Sequence, residues 1–224
     1  LPQNIESLKK SKLVIIIFYR SFIMANDLNP IRKLYYSFKK NNITSVGIFL
    51  PSLKEPKSAK WVEDQISNLS PSCIVNATAF SAKNKNGVSP LDIGNVPIFQ
   101  IALSTNDKKS WEKEDRGLSP TNMAMHVALP EIDGRIFAGV ASFKKKMPTD
   151  FKLQFNEIKH ETYKDGISSI TQKVKSWIKL QNTSLKMKKP AIILSTYPGK
   201  KWQIAHAVGP VSYTHLRAHE TRTN

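Results

Sequence analysis

Short apolar runs alternate with amphipathic stretches over roughly the first hundred residues of the chain. The run LVIIIFY, at 13–19, is apolar without interruption, which is typical of a strand buried on both faces of a sheet. In NPIRKLYYSFKK, at 29–40, apolar residues return at helical spacing behind Asn29, a candidate N-cap, and Pro30. The same patterns predict strands in SVGIFL (45–50), SCIVNAT (72–78) and VPIFQIAL (96–103), and a second helix in EPKSAKWVEDQISNL (55–69). This β-α-β-α-β order predicts an α/β fold, a Rossmann-like layered domain with a mainly parallel sheet.

The second half of the chain is less regular. LSPTNMAMHVAL, at 118–129, predicts a helix that Ser119 caps and Pro130 ends, and its apolar character on nearly all sides predicts that it is buried. The polar and basic stretch at 145–160 is interpreted as an excursion or linker. The remaining patterns predict a strand in RIFAGVASF (135–143), an amphipathic helix in YKDGISSITQKVKSWIKL (163–180), and a strand in AIILSTY (191–197).

These patterns divide the chain into four parts. We expect an α/β domain at 1–145, a linker with an amphipathic helix at 146–189, and the first strand and loop of a following α/β unit at 190–210. The tail VSYTHLRAHETRTN, at 211–224, holds two of the five histidines and resembles a translated sequencing adapter. We expect the tail to be artefactual and leave it out of the arguments on fold and function.

The composition is strongly basic, with 34 Lys and Arg against 17 Asp and Glu and a formal net charge of +17. Lysine accounts for 28 of these cations and is spread along the chain, whereas proteins that read nucleic acids rely on arginine and interleaved aromatic residues. We therefore expect no nucleic acid as a partner and favour a small substrate with several carboxylates, which a basic surface attracts. A nucleic-acid-binding domain stays an alternative that steep salt-dependent DNA binding would support.

Several classes of protein are excluded by what the sequence lacks. Cys73 is the only cysteine, which excludes internal disulfides and cysteine-based zinc sites and fits a cytoplasmic location. The longest apolar run, at 13–19, is too short to span a membrane. The sequence also has no G-x-x-x-x-G-K-[ST], G-x-G-x-x-G, H-E-x-x-H or G-x-S-x-G motif. If the reaction needs ATP, we expect a partner or a region outside this segment to bind it.

Six segments form an ordered set of motifs. They are FYRSFIMANDLNPI (18–31), LPSLKEPKSAKWV (50–62), IVNATAFSA (74–82), SPLDIGNVPIFQIAL (89–103), GLSPTNMAMHVALPEIDGRIF (117–137) and AIILSTYPGKKWQIAHAVG (191–209). In this order and spacing they resemble the large-subunit family of the aerobic cobaltochelatases (CobN type), a relative of the magnesium chelatase H subunit. Each motif is weak alone, but the set runs over nearly the whole chain before the tail.

The resemblance implies an internal fragment of a longer subunit that binds a tetrapyrrole and the metal. With two smaller partners, an AAA+ ATPase that hydrolyses the ATP and a second small chelatase subunit, that subunit inserts Co²⁺ into hydrogenobyrinic acid a,c-diamide in aerobic cobalamin biosynthesis. Co²⁺ is the substrate metal, the corrinoid is the small-molecule substrate, and the missing P-loop agrees with this division of labour. Insertion of Mg²⁺ into protoporphyrin IX is the alternative in the same class, and a non-catalytic basic α/β ligand-binding module is an alternative of another class.

Metal insertion requires a base that removes the inner N–H protons of the ring and ligands that bind the cation and release it. Imidazole and carboxylate suit divalent cobalt, which makes His126 and Glu131 the candidate catalytic and metal-binding residues. A helix that ends near Leu129 would bring both within reach of one point. The structural alternatives are that His126 is a core histidine with no role in the chemistry and that Glu131 is a solvated loop carboxylate.

The candidate substrate-binding residues are polar side chains beside the predicted strands. Open α/β sheets bind ligands at the carboxyl ends of their strands. We expect all of the candidates except Arg135 to lie there. Arg135 either binds a substrate carboxylate or pairs with Asp133, which is most simply a turn residue. The candidates are Arg20, Ser21, Asn76, Thr78, Ser81 and Arg135. In the last motif Thr196 and Ala207 stand where the family pattern has Asn, so no role is carried over to Tyr197 or His206.

Overall fold

A six-stranded sheet is the framework of the residues that the computed structural model describes, 12–115, 117–152 and 154–191. Its strands are β1 (Leu13–Tyr19), β2 (Thr44–Leu50), β3 (Cys73–Asn76), β4 (Ile98–Leu103), β5 (Ile136–Asp150) and β6 (Phe155–Thr162). The α-helices are α1 (Ser21–Met24), α2 (Asn29–Lys40), α3 (Pro56–Leu69), α4 (Lys108–Lys113), α5 (Pro120–Met123), α6 (Leu129–Ile132) and α7 (Lys164–Gln181). A π-helical turn lies at Ala124–Ala128, and 3-10 turns lie at Asp92–Gly94 and Leu185–Met187.

The described residues up to Asn182 form one compact unit, and those from Thr183 onwards belong to a second. In the first unit the strand order is β2-β1-β3-β4-β5-β6, and every pair is parallel except the antiparallel β5–β6 hairpin. The predicted α/β fold with a mainly parallel sheet is therefore confirmed. Because β2 and β3 lie on opposite sides of β1, the chain reverses its direction across the sheet between β1 and β3, which is where open α/β sheets bind ligands.

Apolar side chains on both faces of the sheet form two clusters, which explains why β1, β3 and β4 are apolar at almost every position. On one face the sheet packs against α2 and α7, through side chains such as Leu34, Phe38, Ile170 and Val174. On the other face it packs against α3 and the β3–β4 connection, through Val62, Ile66 and Leu91. Helix α7 approaches β5 so closely that a Cβ on Gly166 would lie 1.8 Å from the carbonyl oxygen of Val140.

The helical segment at 120–132 differs from the prediction in its end and in its burial. Ser119 accepts a hydrogen bond from the amide of Asn122, as an N-cap does, but the segment continues through Pro130 to Ile132. Only three of its residues are buried, at positions four apart: Asn122, His126 and Pro130. The prediction that the whole helix is buried is wrong, because several of its apolar side chains face solvent, with Leu129 37 % and Ile132 74 % exposed.

Two further local predictions are corrected. The stretch at 145–160 is not a linker but most of the β5–β6 hairpin, in which Lys145 pairs with Lys159 across the strands. Its polar sequence fits because this end of the sheet lies at the edge, where charged side chains stay in water and discourage pairing with other chains. Asn29 is the first residue of α2 and does not cap it, since the N-cap is Leu28 and no side chain caps the helix.

Within the described residues, no helix combines the length and the apolar character that crossing a bilayer requires. The predicted strand at 191–197, the motif residues Tyr197 and His206 and the tail at 211–224 lie outside the described residues, apart from residue 191.

Candidate functional site

A cleft of about 370 Å³ opens at the carboxyl edge of the sheet, beside the point where the strand order reverses. Tyr19 comes from the end of β1, and the segment 52–54 follows β2. The segment 79–82 follows β3, and Leu129 comes from α6. We call this space the carboxyl-edge cleft.

Hydrogen bonds from separate elements hold the 79–82 segment in place. The Tyr19 hydroxyl donates to the carbonyl of Ala79 at 2.9 Å, and burial raises the pKa of this phenol. The Phe80 amide donates to the carbonyl of Met125 at 2.8 Å. Asp133 accepts from the Ser81 hydroxyl at 2.8 Å and from the Ala82 amide at 2.7 Å. The segment is thus tied to β1, to the π turn and to the end of α6.

The bond to Met125 follows from the position of Pro130. In an α-helix the Leu129 amide would bond to Met125, but here it bonds to the carbonyl of Ala124, five residues back. The next donor along the helix would be Pro130, which has no N–H. The Met125 carbonyl therefore has no donor from Leu129 or Pro130 and accepts the amide of Phe80 instead. A proline in the helix thus fixes the wall of the cleft.

Asn76 and Thr78 form a closed network beneath the cleft rather than lining it. The Asn76 amide group donates to the side-chain oxygen of Gln100 at 2.8 Å, and its own oxygen accepts from the Thr78 hydroxyl at 2.8 Å. The Gln100 amide group in turn donates to the Thr78 carbonyl at 2.7 Å. All three residues are about 1 % exposed, so their polar groups are used up in supporting the loop. Gln100 was missed by sequence reasoning, although a lone polar residue in the apolar run VPIFQIAL is a visible signal.

Arg20 and Ser21 are exposed at the carboxyl end of β1, where the sequence predicts them. Among the described residues, neither side chain has a hydrogen-bond partner. Ser81 lines the cleft, but its hydroxyl is engaged by Asp133. Within the described ranges, Arg20 and Ser21 are therefore the candidates at this edge whose polar groups are not engaged by other side chains.

His126 is enclosed between the π turn and the sheet. This residue is 4 % exposed, and its Nδ1 atom is buried with no hydrogen-bond partner among the described residues. Burial lowers the pKa of this histidine to about 4, so the imidazole is neutral at pH 7, as a metal ligand must be. The same low pKa makes it a weak proton acceptor, since general bases work best with a pKa near the operating pH.

Glu131 does not share the surroundings of His126. It comes directly after Pro130, the last residue of the buried stripe, and is exposed. The imidazole is thus enclosed while the carboxyl group faces solvent, and a single short stretch does not bring both to one environment. In the part of the chain that the structure describes, no group of three or more His, Cys, Asp or Glu residues is arranged to hold a metal ion.

Arg135 lies at the opposite edge of the sheet, just before the amino end of β5. Its Nη1 atom is 2.5 Å from Oδ1 of Asp92, while Nε and Nη2 are buried and have no partner in the part of the chain that the structure describes. It lines a polar cavity of about 600 Å³ with Lys83 and Asp133. Asp133 accepts hydrogen bonds from the Ser81 hydroxyl and the Ala82 amide, and Arg135 pairs with Asp92. The predicted alternative of an Arg135–Asp133 pair is therefore wrong. The six candidate substrate residues therefore do not form one site.

The sequence profile of the CobN/Magnesium Chelatase family matches residues 3–212 of the chain. The chain belongs to this family. Residues 213–224, most of the tail at 211–224, lie outside the match.

Curated relatives of this CobN/magnesium chelatase chain are much longer. It is 26 % identical over 197 residues to the aerobic cobaltochelatase subunit CobN of a Sinorhizobium species, covering 87 % of this chain and 16 % of the relative. It is 27 % identical over 198 residues to the subunit of the same name in Pseudomonas aeruginosa, and the match covers 88 % of this chain and 16 % of that subunit. The chain therefore spans about a sixth of the length of these relatives.

The fold of this family member is also found in a solved structure. The catalytic subunit of cobaltochelatase from Mycobacterium tuberculosis matches with a TM-score of 0.59 and 20 % identity, over 72 % of this chain and 14 % of that one. At this identity the match supports the α/β fold alone.

Proposed function

We propose that this segment forms part of the tetrapyrrole- and metal-binding surface of a cobaltochelatase large subunit. The whole subunit would insert Co²⁺ into hydrogenobyrinic acid a,c-diamide in aerobic cobalamin biosynthesis. Its AAA+ partner would hydrolyse the ATP, a second small subunit would complete the enzyme, and the complex would work in the cytoplasm. Family membership and the names of the two curated relatives support cobalt as the metal.

The observation that carries the proposal is the combination of apolar and cationic side chains around the carboxyl-edge cleft. Phe80 is 50 % and Leu129 37 % exposed, although both are apolar, and Met24 in the neighbouring α1 is 79 % exposed. Lys54 lines the cleft, and Arg20 is exposed at the end of β1. A corrin precursor has a conjugated face and carboxylates around its rim, so apolar contact and cationic attraction would both favour it here.

In the chemical step, a base must accept the protons that leave the ring nitrogens, and the cation takes their place. The exposed carboxyl group of Glu131 is the better candidate for contact with the ring or the incoming ion. Neutral His126 suits a ligand role, but only if the turn around it opens, because its Nδ1 is enclosed. Two protein ligands are fewer than metal sites usually have, so the rest of the subunit or the substrate would supply others.

The experiment is metal insertion by the full-length subunit with its partner subunits, comparing Co²⁺ with Mg²⁺. We expect Co²⁺ to be inserted, and Glu131→Gln and His126→Ala each to abolish insertion while leaving tetrapyrrole binding nearly intact. Glu157→Gln, which alters an exposed glutamate of β6, is the matched control and should insert normally.

Each outcome of this assay decides one point. Insertion of Mg²⁺ into protoporphyrin IX in place of Co²⁺ would move the protein to the magnesium branch of the family. Wild-type turnover in the Glu131 and His126 variants would remove both residues from the site. A full-length protein that binds the corrinoid but never metallates it, with all partners present, would favour a non-catalytic binding module.

A further inference from the structure

Phe80 combines features that its role in the fold does not explain. It follows β3 and lines the carboxyl-edge cleft, and half of its side chain is exposed. Its backbone φ is 67°, in the left-handed region that bulky residues avoid because Cβ approaches the carbonyl oxygen. Burial of the ring does not offset this strain, since a half-exposed side chain gains only part of the hydrophobic stabilisation.

The strained conformation is imposed by contacts on both sides of the residue. Ala79 is fixed by the Tyr19 hydroxyl, the Phe80 amide by the Met125 carbonyl, and Ser81 with Ala82 by Asp133. Non-glycine residues persist in such conformations when their surroundings over-determine them, and they cluster at ligand-binding sites. The backbone is thus arranged to present an aromatic ring at the cleft in a fixed position.

The charges around the ring indicate the kind of ligand. Lys54 lines the same cleft, and Arg20 is exposed at the carboxyl end of β1, the strand that also supplies Tyr19 to the cleft. A flat conjugated ligand with anionic groups on its rim fits an aromatic ring flanked by cations.

We propose that Phe80 is the ring on which the conjugated face of the tetrapyrrole stacks in the carboxyl-edge cleft. This role rests on the proposed function. It names the contact that orients the macrocycle before the metal arrives and makes Phe80 a substrate-positioning residue.

The test is a titration of metal-free hydrogenobyrinic acid a,c-diamide into the full-length subunit, followed by the absorbance and fluorescence of the tetrapyrrole. Loss of the stacked ring in Phe80→Ala should weaken binding by about tenfold, and Phe80→Trp should bind within about twofold of the wild type. Phe155→Ala, which removes another exposed phenylalanine from β6 at the far end of the sheet, should bind as the wild type does.

A glycine variant separates the role in binding from a role in folding. Phe80→Gly suits a φ of 67°, so its Tm should not fall below that of the wild type, yet it should bind as poorly as the alanine variant. Wild-type affinity in Phe80→Ala or Phe80→Gly would overturn the stacking role and leave the proposed function standing. A wild-type subunit that does not bind the tetrapyrrole would overturn both.

Discussion

At the scale of single residues, His126 shows how burial determines what a side chain can do. The folded protein holds this imidazole neutral with a pKa of about 4, whereas its ordinary value is 6.5. The pKa of His160 is also about 4, and burial is its main cause. The charge of Lys144 lowers this pKa further, whereas the charge of Asp27 raises it. Both histidines are neutral near pH 7, where neither adds a positive charge to the region of the sheet that it contacts.

These two pKa values predict that acid destabilises the fold. Between pH 6.5 and pH 4 the unfolded chain binds protons at these histidines and the folded chain does not, so the free energy of unfolding falls as the pH falls. The loss from each site approaches about 3 kcal/mol below pH 4. In thermal unfolding of the full-length protein from pH 7 to pH 4.5, His126→Gln should show a shallower fall in Tm than the wild type. Parallel curves for the two proteins would show that His126 is not buried as described.

Sequence could predict where a residue lies when its position along a strand was enough. Arg20 and Ser21 are exposed at the carboxyl end of β1 because the end of an apolar run marks the end of the strand. The engagement of Asn76 by Gln100 depends on contacts between β3 and β4, which no local pattern contains. Because Asn76 and Gln100 are both buried and bonded to each other, Asn76 supports the loop instead of facing a ligand.

At the scale of elements, Pro130 is an exception to the rule that a proline ends a helix, because the surrounding structure accommodates it. A proline usually ends a helix or kinks it, but here the π turn absorbs the missing N–H and the helix continues to Ile132. The carbonyl of Met125 then serves the wall of the cleft instead of the helix.

Replacing this proline should loosen the cleft wall. In Pro130→Ala the new amide competes for the carbonyls of the preceding turn, and the Phe80–Met125 bond should weaken. Hydrogen–deuterium exchange of a peptide spanning 79–83 should become faster than in the wild type. Pro120→Ala is the matched control: it lies in the first turn, where amide groups lack helical acceptors, and should leave exchange unchanged. Equal exchange in all three proteins would contradict the link between Pro130 and the loop.

Most elements could be predicted because burial on both faces leaves a continuous apolar signal, as in β1, β3 and β4. The β5–β6 hairpin could not, because most of its residues from Lys145 onwards are exposed and polar, which resembles a loop. The partial burial of 120–132 was also hidden from the sequence. Its exposed apolar residues suit a helix that borders a ligand surface. Composition alone does not distinguish such a helix from one that is buried in a core.

At the scale of the whole molecule, two polar regions lie toward opposite ends of the strands, and Asp133 links them, since it lines the Arg135 cavity and accepts hydrogen bonds from Ser81 and Ala82 of the cleft. The carboxyl edge presents Arg20 and the cleft, whereas the amino ends of β4 and β5 hold the Arg135–Asp92 pair. The chain spans about a sixth of its curated relatives, so either edge can meet other parts of a longer subunit. We assign the tetrapyrrole to the carboxyl edge, where the strand order reverses.

The most direct test compares hydrogen–deuterium exchange of the full-length subunit with and without metal-free hydrogenobyrinic acid a,c-diamide. We predict slower exchange on binding at 52–54 and 79–82, which border the carboxyl-edge cleft, and no change at 92–98 and 134–136 around Arg135. Saturating ligand that slows exchange at 92–98 and 134–136, while 52–54 and 79–82 exchange as in the free subunit, would contradict the assignment of the tetrapyrrole to this edge.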